Sequence, residues 1–571
     1  MLYAKSLLPA LIVFFLVHYS TRTSAALKSD RSRGLARLGF GLAKLSLLIL
    51  PLEWMIHLFQ QAEPAALTGK AFWMAALAQT SQLYLAISGL ADVLIAASMI
   101  RGQPRGELCD APYRQGSFLG LWKHLHLGLL KPSGPPLGQV LPTVVLVGGV
   151  AVLWHGNLSS VSVWFLIQLV ILYIEVWRKK SLFAPLPTPF RVIFTMLLFV
   201  VTNVLLVTPD LLTAVNGWQM MFTMGSSSIY AAMLEKRMTS GWLQSIQFIA
   251  LLTSVGLPRL PLLLQMEIKT WRILGFALLP LSVLYPFRDS LNAPAVIRQI
   301  AQWPVTWIFD EGNAQVHLGY NGWFYPMHEL DHLTLRREKP GQTEDLVKQA
   351  HTLKSLGVGL MVIPIPSKVA LYPQHFFRGD YQVPLMPPGQ KAKIDQLTAA
   401  GIAVVDPAQA LWDRLLKEQA FYQNDSHWTD DTMKFVANMA AKEIRKRWPQ
   451  LHQSETPLIQ ATILERIESG DLVRKLFPLG QKQFGEETAQ LVSIAGLGND
   501  PSSPIVVYGD DLIEVFESAT ASFGNAAGQS QQAGFITQLA SLLGRPLSLP
   551  SGQHPLTTKK LVIHLLWADE L

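Results

Sequence analysis

Cysteine is nearly absent from this chain of 571 residues, since Cys109 is the only one. A single cysteine excludes an intrachain disulfide and a cysteine-rich zinc site. We interpret Cys109 as a structural residue, because a free cysteine often behaves as a small hydrophobic side chain. The sequence also lacks internal repeats, low-complexity tracts and a nucleic-acid-binding module. We therefore expect no bound metal ion and no nucleic-acid partner.

Charged residues are also scarce: they make up 15% of the chain, whereas hydrophobic residues make up 50%. The mean hydropathy of +0.27 is too high for an ordinary soluble protein, and the apolar residues concentrate before residue 290. Much of the net charge of +7 lies in stretches that we interpret as short basic loops between apolar runs, at 28–37, 101–114 and 178–180. This distribution is the positive-inside pattern of a membrane protein.

A series of apolar runs predicts a multi-span helical membrane domain over residues 1–290. We interpret residues 7–17 as an uncleaved first span and not as a signal peptide, because more spans follow at once. Residues 117–131 have an amphipathic pattern. The number of spans, and whether it is odd or even, are left open. Hydropathy alone therefore does not determine on which side of the membrane the C-terminal half lies. The apolar segments are 7–17, 40–59, 71–100, 141–155, 161–177, 191–207, 211–224, 245–256 and 271–285.

The composition changes at about Pro286, where charged residues become frequent and no later run is long enough to span a membrane. Short strand-like pieces alternate with helical patterns, which predicts an α/β domain with a largely parallel sheet over residues 300–571. The predicted strands are 359–365, 402–406, 505–509 and 561–567, and the clearest predicted helices are 343–356 and 430–447.

Four short motifs in the membrane half occur in a fixed order. They are Ser-Gly-x-x-Asp at 88–92, Pro-Tyr at 112–113, Trp-Lys-x-x-His at 122–126 and Trp-His-Gly at 154–156. A histidine at the end of a span, such as His155, is costly to leave unpaired in lipid, so we expect it to face protein or a wet cavity.

This series resembles the membrane-bound O-acyltransferase family, in its bacterial alginate O-acetyltransferase branch. The resemblance implies that His155 and His126 are catalytic. It leaves Asp92 open between a functional polar contact and a helix-packing hydrogen bond. The family normally has several further spans before the region that residues 1–28 resemble.

The second half contains another ordered set of motifs. They are Gly-Tyr-Asn-Gly-Trp-Phe-Tyr-Pro at 319–326, Pro-x-Lys-x-x-x-Tyr-Pro at 366–373, Asp-x-His-Trp at 425–428 and a strand followed by Gly-Asp-Asp at 509–511. The set resembles the periplasmic domains of alginate O-acetyltransferases, which have an SGNH-hydrolase-like fold. The resemblance implies that His427 is a base and that Asp425 orients it, as acyl transfer to a hydroxyl requires.

The expected serine nucleophile is missing, because Asp511 stands where the family pattern has serine. An acyl-aspartate would be a mixed anhydride and easily hydrolysed. The carboxylate would also hold His427 protonated and make it a poor base. Ser518 and Ser522 follow, but neither occupies the matching position. Loss of serine chemistry, a substitute serine and a direct role for Asp511 all stay open.

Several of these residues also have plain structural interpretations. Asp425 or Ser426 could cap the following helix. Trp428 and the aromatic cluster at 323–325 are more often core residues than a sugar platform. Lys368 fits either a contact with an anionic sugar or a solvated loop.

We therefore predict an O-acetyltransferase of the bacterial inner membrane, with a periplasmic C-terminal domain. It would move an acetyl group from a cytoplasmic donor, acetyl-CoA, to a hydroxyl of a cell-envelope polysaccharide or exopolysaccharide, with no resident cofactor. Its expected partners are the polysaccharide and other exopolysaccharide biosynthesis proteins. The alternative is a catalytically degenerate scaffold or polysaccharide-binding component of an export complex, and a third possibility is a tethered periplasmic esterase.

Overall fold

The computed structural model divides into two compact units, Met1–Ala293 and Pro294–Leu571. Within them the structure describes residues 31–102, 111–125, 158–223, 228–255, 269–284, 295–335, 342–377, 379–453, 461–476, 484–497, 499–509, 511–517, 532–550 and 556–571.

The described residues of the first unit are mostly helical. Among these helices, α1, α2, α4 and α5 are each long and apolar enough to cross a membrane, which confirms the predicted multi-span class. The helices are α1 Arg31–Gln61, α2 Gly69–Ile100, α3 Phe118–Leu125, α4 Leu158–Arg178, α5 Thr188–Val207, α6 Leu211–Phe222, α7 Ile229–Met238, α8 Gly241–Ser254 and α9 Lys269–Leu284.

Helices α1 and α2 approach closely because glycines lie where they cross. A Cβ atom on Gly41 would lie 2.9 Å from the carbonyl oxygen of Gly89, so a larger side chain there would push the helices apart. Helix α1 also contains a π-helical stretch, Lys44–Leu48, a rare local geometry that is often found at functional sites.

Asp92 of α2 is buried and pairs with two cations of α1. Arg37 donates to one carboxylate oxygen at 2.9 Å, and Lys44 donates to the other at 2.7 Å. The sequence predicted residues 28–37 as a loop, and this is wrong for the described residues 31–37, which belong to α1. The reason is that Arg37 finds a buried carboxylate partner inside the unit, so its charge does not need solvent.

Two motif residues of this unit are held by hydrogen bonds in the helical core. The Tyr113 hydroxyl donates to the carbonyl of Thr80 at 2.6 Å. The Trp122 indole donates to Gln168 at 3.2 Å, and Gln168 donates in turn to Thr202 at 3.0 Å. These polar side chains satisfy one another where lipid offers no partner.

The second unit is built on a four-stranded parallel sheet. Strands β3 Gly359–Ile365, β4 Ala403–Val404, β7 Ile505–Tyr508 and β8 Leu561–Trp567 follow the order β4-β3-β8-β7, and all four were predicted. Two antiparallel pairs were not predicted. They join β1 Val316–Leu318 to β2 Phe324–Pro326, and β5 Ala461–Glu468 to β6 Glu487–Ile494.

Helices cover this sheet and bury its apolar strands. The core includes Leu346, Leu353, Val362, Val506 and Val562. The predicted helices at 343–356 and 430–447 are confirmed as α12 and α17. The helices of this unit are α10 Ala295–Phe309, α11 Met327–Thr334, α12 Thr343–Ser355, α13 Lys368–Leu371, α14 Pro373–Phe376, α15 Gln390–Ala399, α16 Ala408–Arg414, α17 Asp430–Arg447, α18 Asp471–Leu476, α19 Asp511–Glu514 and α20 Phe535–Leu543.

The carboxyl ends of the parallel strands bring polar side chains to one edge of the sheet. Lys368 follows β3, Asp511 follows β7 and Asp569 follows β8. Ligands of open α/β sheets bind at this edge.

Candidate active site

Asp425 and His427 lie in a short loop at the start of α17. An antiparallel bridge between Phe421 and Trp428 closes the loop. The helix that follows is capped by Thr429, whose hydroxyl accepts from the backbone N–H of Thr432. The alternative that Asp425 or Ser426 caps this helix is therefore wrong, and both side chains are available for other contacts.

Asp425 and His427 form a buried pair. Nδ1 of His427 lies 2.5 Å from Oδ1 of Asp425, and the backbone N–H of His427 donates to the same oxygen at 3.0 Å. The other oxygen of Asp425 accepts from the backbone N–H of Asp471 at 2.8 Å. This is the arrangement in which a carboxylate orients an imidazole and leaves its Nε2 free to act.

Charged side chains from distant segments hold the backbone of this loop. Glu487 of β6 accepts from the N–H groups of Gln423 and Asn424 at 2.6 and 2.7 Å. Asp471 accepts from the N–H of Ser426 at 2.7 Å. Glycine is required at position 470, because a Cβ atom there would lie 1.9 Å from the carbonyl oxygen of Asn424. The loop is therefore fixed on several sides.

Lys368 supports the same loop from the interior of the second unit. Its side chain is fully buried, and Nζ donates to the carbonyl oxygens of Gln423 and Asp425 at 2.8 and 3.0 Å. Burial lowers the pKa of Lys368 from its ordinary value, while the nearby Glu329 carboxylate opposes that shift. Both sequence interpretations of Lys368, as a sugar contact or as a solvated lysine, are wrong because the residue supports the dyad from the interior.

Asp511 faces the free side of the histidine. Its Oδ2 lies 4.0 Å from Nε2 of His427, and its side chain is 53% exposed, whereas that of His427 is 13% exposed. Burial lowers the pKa of His427, but the carboxylates of Asp425, Asp471 and Asp511 outweigh this effect and raise it to about 9. The structure thus brings together Asp425, His427 and Asp511.

A second histidine–carboxylate pair lies at the end of β8. Nδ1 of His332 in α11 lies 2.5 Å from Oδ2 of Asp569. His328 lies one helical turn earlier, with its ring centroid 6.1 Å from that of His332. Burial lowers the pKa of His328, and Asp569 and Asp511 oppose that shift. Sequence reasoning missed this pair, although the spacing of His328 and His332 places them on one helix face.

Asp425, His427 and Asp471 offer ligand atoms that all lie within 4.8 Å of one another, as a metal site would require. Each carboxylate oxygen in this group already accepts a hydrogen bond from the protein. Oδ1 of Asp471 accepts from the Ser426 N–H, and its Oδ2 accepts from the Ser426 hydroxyl and from Lys475. A metal ion would have to displace these donors, so the group is better explained as support for the dyad.

The structure does not describe four of the other residues that the sequence analysis singled out. His126, His155, Ser518 and Ser522 are outside the described residues. Trp428 and the aromatic residues at 323–325 are buried, which confirms the interpretation that they are core residues.

The second unit also resembles known proteins in sequence. Residues 316–554 match the family described as "SGNH hydrolase-like domain, acetyltransferase AlgX", and they include Asp425, His427 and Asp511. Residues 316–554 of the second unit are thus similar to the AlgX type of SGNH hydrolase-like domain. The predicted fold class is therefore confirmed in both halves, while the catalytic roles of individual residues stay predictions.

Curated relatives are named as acetylases. The chain is 28% identical over 181 residues to a probable alginate O-acetylase AlgJ of Pseudomonas fluorescens, and 28% identical over 184 residues to a probable alginate O-acetylase AlgI of Pseudomonas aeruginosa. Each alignment covers 30% of this chain, with 43% of that AlgJ and 34% of that AlgI. The chain thus spans less than half the length of these relatives.

Two solved structures are also similar. The O-acetyltransferase domain of Pseudomonas putida AlgJ has a TM-score of 0.31 and 15% identity, covering 44% of this chain and 91% of that one. Bacillus cereus PatB1 with a sulfonyl adduct has a TM-score of 0.28 and 10% identity, covering 44% and 96%.

Proposed function

We propose that this chain is an O-acetyltransferase that moves an acetyl group across a bacterial inner membrane onto a hydroxyl of a cell-envelope polysaccharide or exopolysaccharide. The main observation behind the proposal is the buried Asp425–His427 pair. The pair lies near the carboxyl edge of the sheet, within the residues that match an acetyltransferase family. The likeness to alginate O-acetylases supports a polysaccharide as acceptor.

The membrane half takes the first part of the reaction in this proposal. His155 and His126 assist removal of the acetyl group from acetyl-CoA on the cytoplasmic side, and the second unit passes it on in the periplasm. The four membrane-length helices support a location in the membrane. Joining both halves in one chain raises the concentration of each near the other, so the acetyl group is not lost between two separate proteins.

A second candidate is a polysaccharide-binding component without catalytic activity. The observation that favours it is Asp511, because a carboxylate 4.0 Å from Nε2 of His427 occupies the place where the domain family pattern has a serine. In this case the dyad would be a remnant, and the exposed edge of the sheet would serve for binding.

The acetyl ester content of secreted polysaccharide tests the proposal. We would compare cells that carry the wild type, His155→Ala, His427→Ala or His351→Ala, where His351 is an exposed histidine of α12 and serves as the control. We expect acetylated polymer with the wild type and the control, and a loss of acetyl ester with the other two. Full acetylation with both His155→Ala and His427→Ala, together with impaired export on deletion of the chain, would establish the binding component instead.

A further inference from the structure

We propose that the space between Asp511 and His427 binds the acceptor hydroxyl itself, so that the acetyl group passes to it in a single displacement without an acetylated residue in this unit. The inference rests on the proposed function and gives it a mechanism that differs from serine chemistry. It starts from the separation of two atoms, Oδ2 of Asp511 and Nε2 of His427.

The separation of these atoms is suited to one intervening oxygen. At 4.0 Å the atoms are too far apart to hydrogen-bond directly. An oxygen at about 2.8 Å from both would subtend an angle of about 90°, which a hydroxyl that donates to one group and accepts from the other can satisfy. A substrate hydroxyl would thus stand close to where a serine hydroxyl stands in the usual dyad arrangement.

The two sides of this space differ in access. The Asp425 side chain is fully buried and fixes the far side of the imidazole. The Asp511 side chain is about half exposed, at the first residue of α19. A hydroxyl on a long polymer can therefore reach the space from solvent, while the histidine cannot turn away from it.

The charges around His427 indicate which of the two groups, Asp511 and His427, is the acid and which is the base. His427 has a carboxylate at each ring nitrogen, Asp425 at Nδ1 and Asp511 at Nε2. This surrounding stabilises the imidazolium, and its pKa is raised to about 9 although burial acts in the opposite direction. A protonated imidazole donates from both nitrogens and cannot take a proton. Asp511 is then the base, and His427 is the acid.

The step balances with these roles. The acceptor hydroxyl oxygen bonds to the carbonyl carbon of the donor, an acetyl thioester or acetyl ester, and its proton passes to Asp511. The bond from that carbon to the leaving sulfur or oxygen breaks, and the leaving group takes the proton on Nε2 of His427. Transfer of a proton from Asp511 to Nε2, across the same space, restores both groups.

The experiment uses the purified full chain in detergent, with 4-nitrophenyl acetate as donor and a mannuronate oligosaccharide as acceptor. Mass spectrometry would measure acetyl transfer to the oligosaccharide and any acetyl group on the quenched protein. The variants are Asp511→Asn, Asp511→Ser and, as the matched control, Glu514→Gln on the exposed face of the same short helix.

We expect the wild type to transfer acetyl without an acetylated peptide. Asp511→Asn should slow transfer by about 10²–10⁴-fold, the usual loss when a general base is removed. Glu514→Gln should match the wild type, and Asp511→Ser should become acetylated at position 511. An acetyl group on the quenched wild type, or full transfer by Asp511→Asn, would overturn the single displacement.

Failure of the proposed function is distinguishable from failure of this inference. If the polymer in cells is not acetylated, the proposed acetyltransferase function is refuted. The affinity of the purified protein for the oligosaccharide would then test whether the acceptor hydroxyl binds between Asp511 and His427. Weaker binding by Asp511→Asn than by Glu514→Gln supports the site, and equal affinities refute it.

Discussion

His427 lies between carboxylates, and this placement controls its charge. Asp425 contacts one ring nitrogen and Asp511 faces the other. The pKa is raised from an ordinary value of 6.5 to about 9. The pKa of His427 is higher in the folded state than in the unfolded state. The protonated imidazole therefore contributes its full stabilisation of the fold below about pH 6.5, and this contribution is lost as pH rises through about 9.

We predict that Asp511→Asn lowers the pKa of His427, because the substitution removes one of the negative charges that hold the proton on the imidazole. The change can be measured by an NMR titration of the full chain labelled with ¹⁵N-histidine. Glu514→Gln is the control, and its midpoint should stay at about pH 9. Identical midpoints for the wild type and Asp511→Asn would show that the carboxylate does not act on the ring.

Lys368→Met should destabilise the second unit and disorder the dyad. The substitution leaves the carbonyl oxygens of Gln423 and Asp425 without their lysine donor, at a cost of about 1–3 kcal/mol for each buried group left unsatisfied. Denaturant unfolding of the full chain, followed by tryptophan fluorescence, measures the loss. Lys348→Met is the control, because that lysine is exposed on α12. Equal stability of the two variants would contradict the supporting role of Lys368.

Sequence reasoning reaches the residues of the dyad but not those that support it. Asp425 and His427 stand in one short motif, so their pattern is visible. Glu487 lies 64 residues from Gln423, and only the fold brings it to the loop. The sequence alone suggests that Lys368 is a loop lysine, because its burial depends on packing between distant segments that no local sequence pattern indicates.

At the scale of elements, the parallel strands were predictable and the antiparallel pairs were not. Strands β3, β7 and β8 are almost wholly buried, and such strands carry continuous apolar runs. Strands β1 and β2 have only three residues each. In the β5–β6 pair, Ile463 and Ile467 are exposed, so the pattern does not indicate a buried face.

The contact between α1 and α2 gives a prediction for the membrane unit. Asp92→Asn removes the carboxylate charge that both Arg37 and Lys44 bind, and breaking a buried ion pair in this way costs about 3–5 kcal/mol. We expect lower thermal stability in detergent, measured by fluorescence-detected size exclusion.

Ser88→Ala is the matched control for this prediction. The residue lies one turn before Asp92 on α2, and its buried hydroxyl has no hydrogen-bond partner among the residues that the structure describes. Its thermal stability should equal that of the wild type. If Asp92→Asn were equally stable, the ion pair would not hold the two helices together.

For the whole molecule, we predict that the second unit lies in the periplasm and that the basic stretch at 178–180 lies in the cytoplasm. In a Cys109→Ser background, Leu416→Cys places a thiol on an exposed residue of the second unit, and Lys179→Cys places one in the basic stretch. A membrane-impermeant maleimide should label position 416 in intact spheroplasts, and position 179 only after lysis. The reverse pattern would refute the orientation and the proposed direction of transfer.

The order of strands also governs when the second unit can assemble during translation. Strand β8 lies between β3 and β7 in the sheet, yet the ribosome makes it after both. Among the described strands of this sheet, β7 pairs with β8 alone, so until β8 emerges the strand that leads to Asp511 is not joined to β3. A ribosome that stops before Leu561 would therefore release a chain that has the described helices of the first unit but lacks the strand that joins β7 to the rest of the parallel sheet.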